Sequence, residues 1–463
     1  MAEHSVTMEK TLLKLLDEKK YSTLRDILIT MNPSDIAAIF DELAEERLPL
    51  LFRLLPKELA ADTFVEMDPD AQELLIRGFS DSELREVLDE LFVDDAVDIV
   101  EEMPANVVRR ILSQADPDMR KSINEILRYP ENSAGSIMTT EYVSLRPHMT
   151  VADAIMNIRR TGVDKETIYT CYVTKDRTLI GVVTVKDLLL AEDDETPIEK
   201  IMIPNVISVN THDDQEIVAQ MFSKYNFLAL PVVDKENRMV GIVTFDDAMD
   251  VMEDEATEDI EKMAAIIPSE KPYMSMSPWE IWKKRIPWLM LLMVSATFTG
   301  MIISGFETAL ERILVLTAFI PMLMDTAGNS GSQASVTIIR GLSLNEIELS
   351  DVLKIVWKEI RVAFLCGISL AAACFVKIFL VDYLLLQSFA DVTAYNPFVI
   401  IGVVSVTMAI TILFAKIVGC VLPLLAKKLK FDPAVMASPF ITTIVDALSL
   451  LVYFGIAKLF LPI

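Results

Sequence analysis

The residues best placed to do chemistry are aspartates inside apolar stretches. Asp446 lies in the middle of SPFITTIVDALSLLVYF, with no Lys or Arg within a helical turn or two. Ionisable residues at membrane depth are costly and usually functional, so an unneutralised carboxylate here predicts a cation-binding position. A protonated Asp446, or one bonded to a neighbouring helix, is the structural alternative. Asp325 lies similarly in FIPMLMDTAGNSGSQASV, and its depth depends on where the helix breaks after Pro321.

An oxygen-rich run, GNSGSQAS, follows Asp325. Asn329 and Gln333 stand at i and i+4 on one helical face, and carbonyls freed at Gly328 and Pro321 would add to an oxygen-lined wall. The small residues of the run equally suit a tight packing seam between helices. Oxygen ligands select hard cations, and Mg²⁺ usually keeps several waters while taking one or two carboxylates. Because one subunit supplies few ligands, we expect a two-fold dimer with the pore on or near its axis.

A second group of carboxylates lies in the first half of the chain. Asp94 and Asp98 are one helical turn apart in VDDAVDIVEEM and could share a cation, or could simply form a solvated face. Nine acids fall between Asp246 and Glu261, in a segment whose Met, Ala and Ile residues step by three and four. This pattern predicts an amphipathic helix ending at Pro268. The carboxylates of so acidic a helix should repel one another unless cations screen their charges. A solvated acidic linker is the alternative.

Charge and hydropathy divide the 463 residues into two parts. The formal charge is −26, yet 52% of the residues are apolar. Residues 1–277 carry 28 Lys and Arg against 56 Asp and Glu, whereas residues 278–463 carry 14 against 12. This distribution excludes a nucleic-acid binder, which needs basic residues in excess, and the apolar fraction excludes intrinsic disorder. It indicates an acidic soluble assembly joined to a membrane domain.

Five apolar stretches are long enough to cross a lipid bilayer of ~30 Å hydrocarbon thickness. We place them at residues 286–305, 309–336, 360–381, 397–425 and 438–461. Basic residues precede the first stretch and lie between the second and third and between the fourth and fifth, whereas the alternate loops hold Glu307, Glu311, Asp382 and Asp391. The positive-inside rule then predicts a cytoplasmic N-terminus and an extracytoplasmic C-terminus, in a multi-pass protein of the cell membrane.

The first half contains two kinds of repeat. Between Asp35 and Pro130 a unit of about a dozen residues recurs, and each unit reads as a short amphipathic helix stopped at a proline. Stacked helices of this kind predict a solenoid-like all-α domain. Residues 137–253 then hold two copies of one α+β pattern, each closing on G-h-h-T-x-x-D. The copies resemble a tandem pair of CBS domains, which often bind adenine nucleotides. That resemblance places a ribose at Thr184, Asp187, Thr244 and Asp247, unless the cleft is degenerate.

Neither an enzyme nor a disulfide-stapled protein is indicated. The sequence offers no nucleophile paired with a base, no zinc-type spacing and no phosphate loop. Its four Cys are too scattered for a disulfide framework, which points to a reducing compartment for the soluble part. The first 30 residues contain no apolar core of a cleavable signal peptide, so none is expected.

The order of these parts resembles the MgtE family of magnesium transporters over essentially the whole chain. Helical repeats, tandem CBS domains, an acidic connecting helix and five spans follow one another, and the spans hold P-x-x-x-x-x-x-G-N-x-G-x-Q and D-P-A followed by T-x-x-x-D. The resemblance implies a homodimeric, Mg²⁺-selective channel in the lipid bilayer that closes at high cytoplasmic Mg²⁺. It also implies ATP as a modulator bound at the CBS pair.

Site residues follow from the resemblance by position. Asp446 is implied to be the pore carboxylate, Asp432 to lie near the cytoplasmic mouth, and Gly328 and Asn329 to line the pore. The implied regulatory Mg²⁺ ligands are Asp94, Asp98, Glu216, Asp247, Asp250, Glu255, Glu258 and Asp259. Phe227 and Asp187 suggest an adenine pocket. Three residues depart from the family pattern, namely Asn226 for an acid, Asp325 for a small residue and Lys186 for Arg.

These inferences predict five regions. They are an all-α N-terminal domain at 1–133, a first CBS domain at 134–200, a second at 201–252, an acidic connecting helix and linker at 253–277, and a transmembrane domain at 278–463 with five helices. Two other functions stay open at this point. One is an ion-coupled carrier for Mg²⁺ or Co²⁺, and the other is a membrane-tethered sensor without transport.

Overall fold

The structure, a computed structural model of the chain, describes residues 11–41, 43–44, 46–269, 271, 273–307, 313–389, 396–436 and 438–461. Glu311, Asp391 and the start of the predicted second span, 309–312, lie outside these residues. The chain divides into two compact units, Met1–Met252 and Glu253–Ile463.

The first unit begins with a stack of short helices. After a helical stretch at 11–17, they are α1 (Tyr21–Leu28), α2 (Pro33–Asp41), α3 (Leu48–Phe52), α4 (Lys57–Val65), α5 (Pro69–Gly78), α6 (Asp81–Leu88), α7 (Val93–Glu102), α8 (Ala105–Gln114) and α9 (Pro117–Ile126). Most helices pack on the next but one, as in α2 with α4 and α4 with α6. One continuous apolar core runs through this stack and into the second CBS-like module.

Four of the five prolines that mark the repeat lie at the start of a helix. Pro56 and Pro104 are the N-caps of α4 and α8, and Pro69 and Pro117 are the first residues of α5 and α9. A proline in the first turn loses no hydrogen bond, because the N–H there has no partner within the helix. Our expectation that each proline stops the preceding helix is therefore corrected for these four, which begin the following helix, whereas Pro130 starts no helix.

Two small α+β modules complete the first unit. The first holds β1 (Tyr142–Leu145), α10 (Val151–Thr161), a 3₁₀ turn (Gly162–Asp164), β2 (Thr167–Lys175), β3 (Thr178–Thr184), α11 (Val185–Leu189) and α12 (Ile198–Ile201). The second holds β4 (Val209–Asn210), α13 (Gln215–Tyr225), β5 (Ala229–Val233), β6 (Met239–Thr244) and the start of α14 (Phe245–Met263). In each sheet the first two strands are parallel and the last two antiparallel.

The repeated glycine of G-h-h-T-x-x-D lets the two modules exchange segments. Ile203 pairs with Val182 of the first sheet, and Thr139 pairs with Ile242 of the second. A Cβ on Gly181 would lie 2.7 Å from the Met202 sulfur, and one on Gly241 would lie 2.5 Å from the Thr139 carbonyl oxygen. The motif therefore requires glycine for close approach of the exchanged segments.

The second unit is helical and apolar. Its helices after α14 are α15 (Pro278–Gly305), α16 (Ile320–Ser343), α17 (Val352–Lys377), α18 (Pro397–Lys428) and α19 (Ser438–Phe460). Shorter turns adjoin them, namely 3₁₀ turns at Leu314–Phe319, Leu349–Asp351 and Pro433–Met436 and a π-helical turn at Ile378–Leu385. α18 is central and packs on α16, α17 and α19, whereas α15 packs on α19 and buries none of its residues.

Four helical segments in the described residues are long and apolar enough to cross a membrane, namely Pro278–Gly305, Leu349–Leu385, Pro397–Lys428 and Pro433–Phe460. The further span that we predict at 309–336 overlaps α16, whose composition is more polar. The predicted fold class is confirmed, with a helical N-terminal domain, tandem CBS-like modules and a helical C-terminal region with apolar candidate spans.

Candidate cation sites

One face of α16 is polar and exposed in the single chain. Asp325, Asn329, Gln333 and Thr337 recur every four residues, and all four are exposed. An open groove lies along this face, lined by Asn329, Ser332, Gln333, Val336 and Thr337. Exposed amides and a carboxylate on a helix within an apolar bundle are unsuited to lipid. This face therefore requires water or a second protein surface against it.

A neighbouring face of α16 packs on α19, and the two helices run antiparallel. A Cβ on Gly328 would lie 2.9 Å from the Thr442 methyl group. Further along α16, the Ser335 hydroxyl donates to the Met436 carbonyl, and before α16 the Leu316 carbonyl accepts from the Tyr453 hydroxyl at 3.0 Å. Residue numbers thus rise on α16 as they fall on α19. Gly328 and Thr442 lie at the same level of the helix pair. Asp325, three residues before Gly328, therefore lies at about the level of the residue four positions after Thr442.

That position is Asp446, so the register brings the two candidate aspartates together. The two carboxylates are near enough for their charges to interact. Oδ1 of Asp446 is buried and has no hydrogen-bond partner within the described residues. A buried carboxylate oxygen without a donor is unstable unless a proton or cation reaches it. These two carboxylates therefore form the candidate membrane-depth cation site.

The helix bearing Asp325 and Gly328 is unbroken from Ile320 to Ser343, and Pro321 lies in its first turn. Our expectation that Pro321 and Gly328 free backbone carbonyls is therefore wrong. Gly328 and Gly331 are buried against α19, and a Cβ on Gly419 of α18 would overlap the Gly331 carbonyl oxygen. The glycines form the packing seam, whereas Asn329 and Gln333 point to the exposed groove. The two readings of GNSGSQAS thus apply to neighbouring faces of one helix.

Asp432 follows α18 and is already engaged by protein groups. Its Oδ1 accepts from the Ala434 amide at 2.8 Å, and its Oδ2 accepts from the Lys262 ammonium at 2.6 Å. Lys262 belongs to α14, the acidic connecting helix. The amino-acid sequence gives no sign of this pairing, because the two residues are separated by 170 positions.

Carboxylates from α7 and both CBS-like modules meet in the first unit. Asp94, Asp95 and Asp98 come from α7, Glu141 and Glu166 from the first module, and Asp246 and Asp247 from the start of α14. We call these seven residues the acidic cluster. Asp94 is 7% exposed, and its Oδ1 has no hydrogen-bond partner among the described residues, nor has Oε2 of Glu166. A solvated face is therefore excluded for Asp94.

The electrostatics of the acidic cluster favour a bound cation or proton. Burial, and then the Asp247 charge, raise the pKa of Asp94 well above its usual range. The same two causes raise the pKa of Asp95 to about 7, and burial and Asp95 raise that of Glu166 to about 8. Asp98 keeps an exposed side chain, yet local desolvation and Asp247 raise its pKa to about 8. Like charges and desolvation both oppose ionisation here.

The acidic cluster predicts a pH dependence that Mg²⁺ should remove. Without divalent cations, the native cluster holds more protons than the unfolded chain between about pH 4, the usual carboxyl pKa, and pH 8, so raising the pH destabilises it. We expect the protection of α7 amides to fall several-fold between pH 6 and pH 8 in chelator, and millimolar Mg²⁺ to restore it at pH 8.

Hydrogen exchange of the full chain, corrected for intrinsic rates, measures this effect. Peptides covering Val93–Glu102 report on the cluster, and peptides covering Ala105–Gln114, which contains no acid, provide the control. Protection of α7 that rises with pH in chelator, or that ignores Mg²⁺ at pH 8, would contradict the electrostatic account.

The candidate nucleotide residues already have local roles. The hydroxyls of Thr184 and Thr244 donate to Asp187 and Asp247, each at 2.6 Å. Thr184 and Asp187 form the capping box of α11. Phe227 stacks on Tyr225 with ring centroids 5.4 Å apart. These residues are present in the two modules. Their hydrogen bonds and ring contact within each module are enough to explain why Thr, Asp and Phe occur at these positions, without a bound nucleotide.

Other predicted regulatory residues lie on α13 and α14. Glu216 is in the first turn of α13 and accepts from Gln220 at 3.1 Å. Asn226 ends that helix in a left-handed conformation with φ of 55°, which suits an amide. On α14, Asp250 is exposed and Glu255, Glu258 and Asp259 are half-buried. Ser343 donates to Asp259 at 2.9 Å.

Among the described residues, no three Asp, Glu, His or Cys side chains are arranged as a ready-made metal-ligand set. Mg²⁺ needs only one or two protein carboxylates when it keeps its waters. The paired sites above therefore suit a hydrated ion better than a dry, fully protein-coordinated one.

A buried ion pair was missed in the membrane unit. Lys416 of α18 is 5% exposed and lies 3.9 Å from Glu359 of α17, whose Oε2 has no hydrogen bond within the described residues. The signal was a single Lys in the fourth apolar stretch. Glu359 was harder to identify, because it stands just before a predicted span among the charged residues Lys358 and Arg361.

Comparison with known families gives three matches. Residues 320–456 match the MgtE divalent cation transporter family, residues 31–132 match the MgtE intracellular N domain, and residues 134–194 and 198–254 each match the CBS domain.

Individual proteins match over nearly the whole chain. The magnesium transporter MgtE of Thermus thermophilus is 36% identical over 97% of this chain and 98% of its own. That of Bacillus subtilis is 32% identical over 99% of each.

Solved structures match the first half. The cytosolic domain of the Mg²⁺ channel MgtE in complex with ATP has a TM-score of 0.50 and 39% identity, covering 52% of this chain and 99% of its own. The soluble part of a magnesium transporter has a TM-score of 0.50 and 32% identity, with coverage of 54% and 99%.

Proposed function

The chain belongs to the MgtE family of magnesium transporters and is not an enzyme, and from that premise we propose that it is a homodimeric, Mg²⁺-selective channel. It takes up Mg²⁺ and closes when cytoplasmic Mg²⁺ is high. The observation that carries this proposal is the exposed polar face of α16, which lies beside the juxtaposed Asp325 and Asp446.

A two-fold dimer explains why that face is uncovered in one chain. Two copies placed with their α16 faces together would enclose a polar passage, with one set of Asn329 and Gln333 amides on each side. An isologous dimer is the commonest closed assembly and requires the same surface on both subunits. Each copy would contribute its Asp446 to the passage, which doubles the ligands available to one ion.

The donor set favours Mg²⁺ in its hydrated form. Carboxylate and amide oxygens suit hard cations, and Mg²⁺ gives up its water reluctantly. Amides of Asn329 and Gln333 can accept hydrogen bonds from bound water, while Asp446 supplies charge across that water. Asp325 is proposed to add a second carboxylate at the same depth and to raise local cation concentration.

Closure is proposed to depend on the acidic cluster and on the acids of α14. Carboxylates that repel one another without cations would be held together by Mg²⁺, and loss of Mg²⁺ would release the connecting helix. Asp94, Asp98 and Asp247 act in the first unit, with Glu216 and Asp250. Glu255, Glu258 and Asp259 act in the second. The unpaired oxygens of Asp94 and Glu166 support an ion at the cluster.

ATP is proposed as a modulator bound at the CBS pair. Support comes from the relative crystallised with ATP and from the repeated Thr and Asp pairs, Thr184 with Asp187 and Thr244 with Asp247. Asp247 also belongs to the acidic cluster. A nucleotide contacting Asp247 would thus alter the charge that acts on Asp94, which gives a direct physical route from ATP to Mg²⁺ affinity.

The proposed location is the plasma membrane, crossed five times, with the N-terminus cytoplasmic and the C-terminus outside. Basic residues at Lys283, Lys284 and Arg285, before α15, and at Lys427 and Lys428, at the end of α18, support this orientation. The acidic cluster then faces the compartment whose Mg²⁺ it would sense.

An ion-coupled carrier is the second candidate. The observation that favours it is the Glu359 and Lys416 pair, because buried titratable residues at membrane depth are a common means of moving protons. If the protein is a channel, the Glu359 and Lys416 pair serves only to hold α17 against α18.

Flux measurements in liposomes separate the two. For a channel, Mg²⁺ entry down its own gradient should be unchanged when the H⁺ and Na⁺ gradients are removed, once the membrane potential is clamped. A Glu359→Gln and Lys416→Met double variant should still conduct. Flux that stops with the proton or sodium gradient, or with that double variant although it folds normally, would favour the carrier.

A further inference from the structure

The last turn of α14 places a lysine on a carboxylate that was expected to bind Mg²⁺. Nζ of Lys262 lies 2.6 Å from Oδ2 of Asp432 and 2.5 Å from Oε1 of Glu258. The Lys262 side chain is only 23% exposed. It therefore occupies the space between the connecting helix and the segment after α18, where its charge is shared by two acids.

Neighbouring contacts fix this arrangement. Asp259, next to Glu258, accepts from the Ser343 hydroxyl at the end of α16 at 2.9 Å. Met263 packs against the buried side chains of Ile339 and Ala434. The contacts between the end of α14 and the membrane domain thus include an apolar residue, a hydrogen bond and an ion pair. The ion pair is the only one of the three that neutralises charge.

The charges around Lys262 explain why a cation is needed there. Glu258, Asp259 and Asp432 place three negative charges at one junction, and Lys262 forms ion pairs with two of them, Glu258 and Asp432. Two carboxylates stabilise its ammonium, so its pKa stays above the usual lysine value even though burial opposes charge. Burial raises the pKa of Asp259, the Ser343 hydrogen bond opposes that change, and the Asp432 charge adds to it.

We propose that Lys262 is a built-in cation that ties the connecting helix to Asp432, so that this part of closure needs no metal ion. The inference rests on the proposed Mg²⁺-closed channel and adds a residue that sets its sensitivity. With Lys262 in place, fewer Mg²⁺ ions are required to hold α14 on the membrane domain. Without it, Glu258, Asp259 and Asp432 repel one another more strongly, and Mg²⁺ must supply more of the neutralising charge.

Lys262→Met tests the proposal, because Met keeps the length and apolar stem of the side chain. In liposome recordings the variant should need several-fold more cytoplasmic Mg²⁺ for half-closure than the wild type, with unchanged conductance when open. Lys271→Met, an exposed lysine of the following linker, is the control and should leave the midpoint unchanged. A midpoint for Lys262→Met that is equal to or lower than that of the wild type overturns the proposal.

The pairing also predicts non-additivity. If Lys262 acts through Asp432, then Asp432→Asn should raise the midpoint in the wild type and have little further effect on it in Lys262→Met. Full additivity of the two shifts would show that the residues act separately and would contradict the proposed tie.

A chemical readout distinguishes failure of this inference from failure of the channel proposal. In purified full-length protein, acetylation of Lys262 by an amine reagent, followed by mass spectrometry, should be several-fold slower than that of Lys271. Asp432→Asn should remove most of the difference. This result supports the contact whether or not the protein conducts.

Equal labelling of the two lysines, unaffected by Asp432→Asn, shows that the contact does not form. A wild type that never closes with Mg²⁺, with Lys262 protected, overturns the channel proposal and the gating role of Lys262 together.

Discussion

Replacing Asp446 with Asn is expected to abolish Mg²⁺ flux while leaving the protein folded. The substitution preserves shape but removes the charge that stabilises a divalent ion at membrane depth. A lost charge-assisted interaction of about 3 kcal/mol corresponds to roughly a hundredfold fall in flux. Asp325→Asn should have an intermediate effect, because Asp446 remains beside it and the Asp325 side chain is more exposed.

Growth of a magnesium-uptake-deficient strain on low Mg²⁺, with expression measured in parallel, provides the assay. Thr443→Val is the matched control. It removes a polar group from the same helix, but one whose hydroxyl already donates to the Pro439 carbonyl at 3.1 Å. Rescue by Asp446→Asn equal to that of the wild type would remove Asp446 from the ion path.

Neutralising the acids of α14 is expected to keep the channel open at Mg²⁺ concentrations that close the wild type. The variant changes Asp250 and Asp259 to Asn and Glu255 and Glu258 to Gln. With these charges gone, bound Mg²⁺ no longer distinguishes the closed arrangement from the open one. We expect the midpoint to rise by roughly tenfold or more, which corresponds to about 1.4 kcal/mol of lost coupling.

A control of equal charge is available in the first CBS-like module. Glu192, Asp193, Asp194 and Glu195 form an exposed run, and their replacement by the corresponding amides changes the net charge equally. Single-channel recording of both variants distinguishes the effect of losing charge on α14 from the effect of lowering the net negative charge of the whole protein. If the α14 variant closes normally, or if the control loses closure to the same extent, the connecting helix is not the sensor.

The parts of the fold that repeat locally could be predicted from sequence. The recurring dozen-residue unit indicated stacked helices, and the two G-h-h-T-x-x-D copies indicated paired modules. The polar positions of α16 were visible as Asn329 and Gln333 one turn apart. In each case neighbouring residues carry the whole signal, because the period of a helix or strand decides which side chains share a face.

The remainder depends on which distant residues the fold brings together. Glu141 and Glu166 join the acidic cluster only because α7 packs against the CBS-like modules. Lys262 and Asp432 form an ion pair although 170 positions separate them in the sequence. Glu359 of α17 and Lys416 of the next helix, α18, form another. The position of Asp325 beside Asp446 follows only from the contact between Gly328 and Thr442, which sets the register of α16 on α19. Sequence spacing identifies candidate groups, but tertiary packing assigns their partners.

The most direct test of the account is patch recording from liposomes that contain the full chain, with Mg²⁺ varied separately on each side. We expect a current that Mg²⁺ carries along its own gradient alone. We also expect closure only when Mg²⁺ rises on the side that bears the N-terminal domain. A current that requires a proton or sodium gradient, or closure driven from the opposite side, would contradict it.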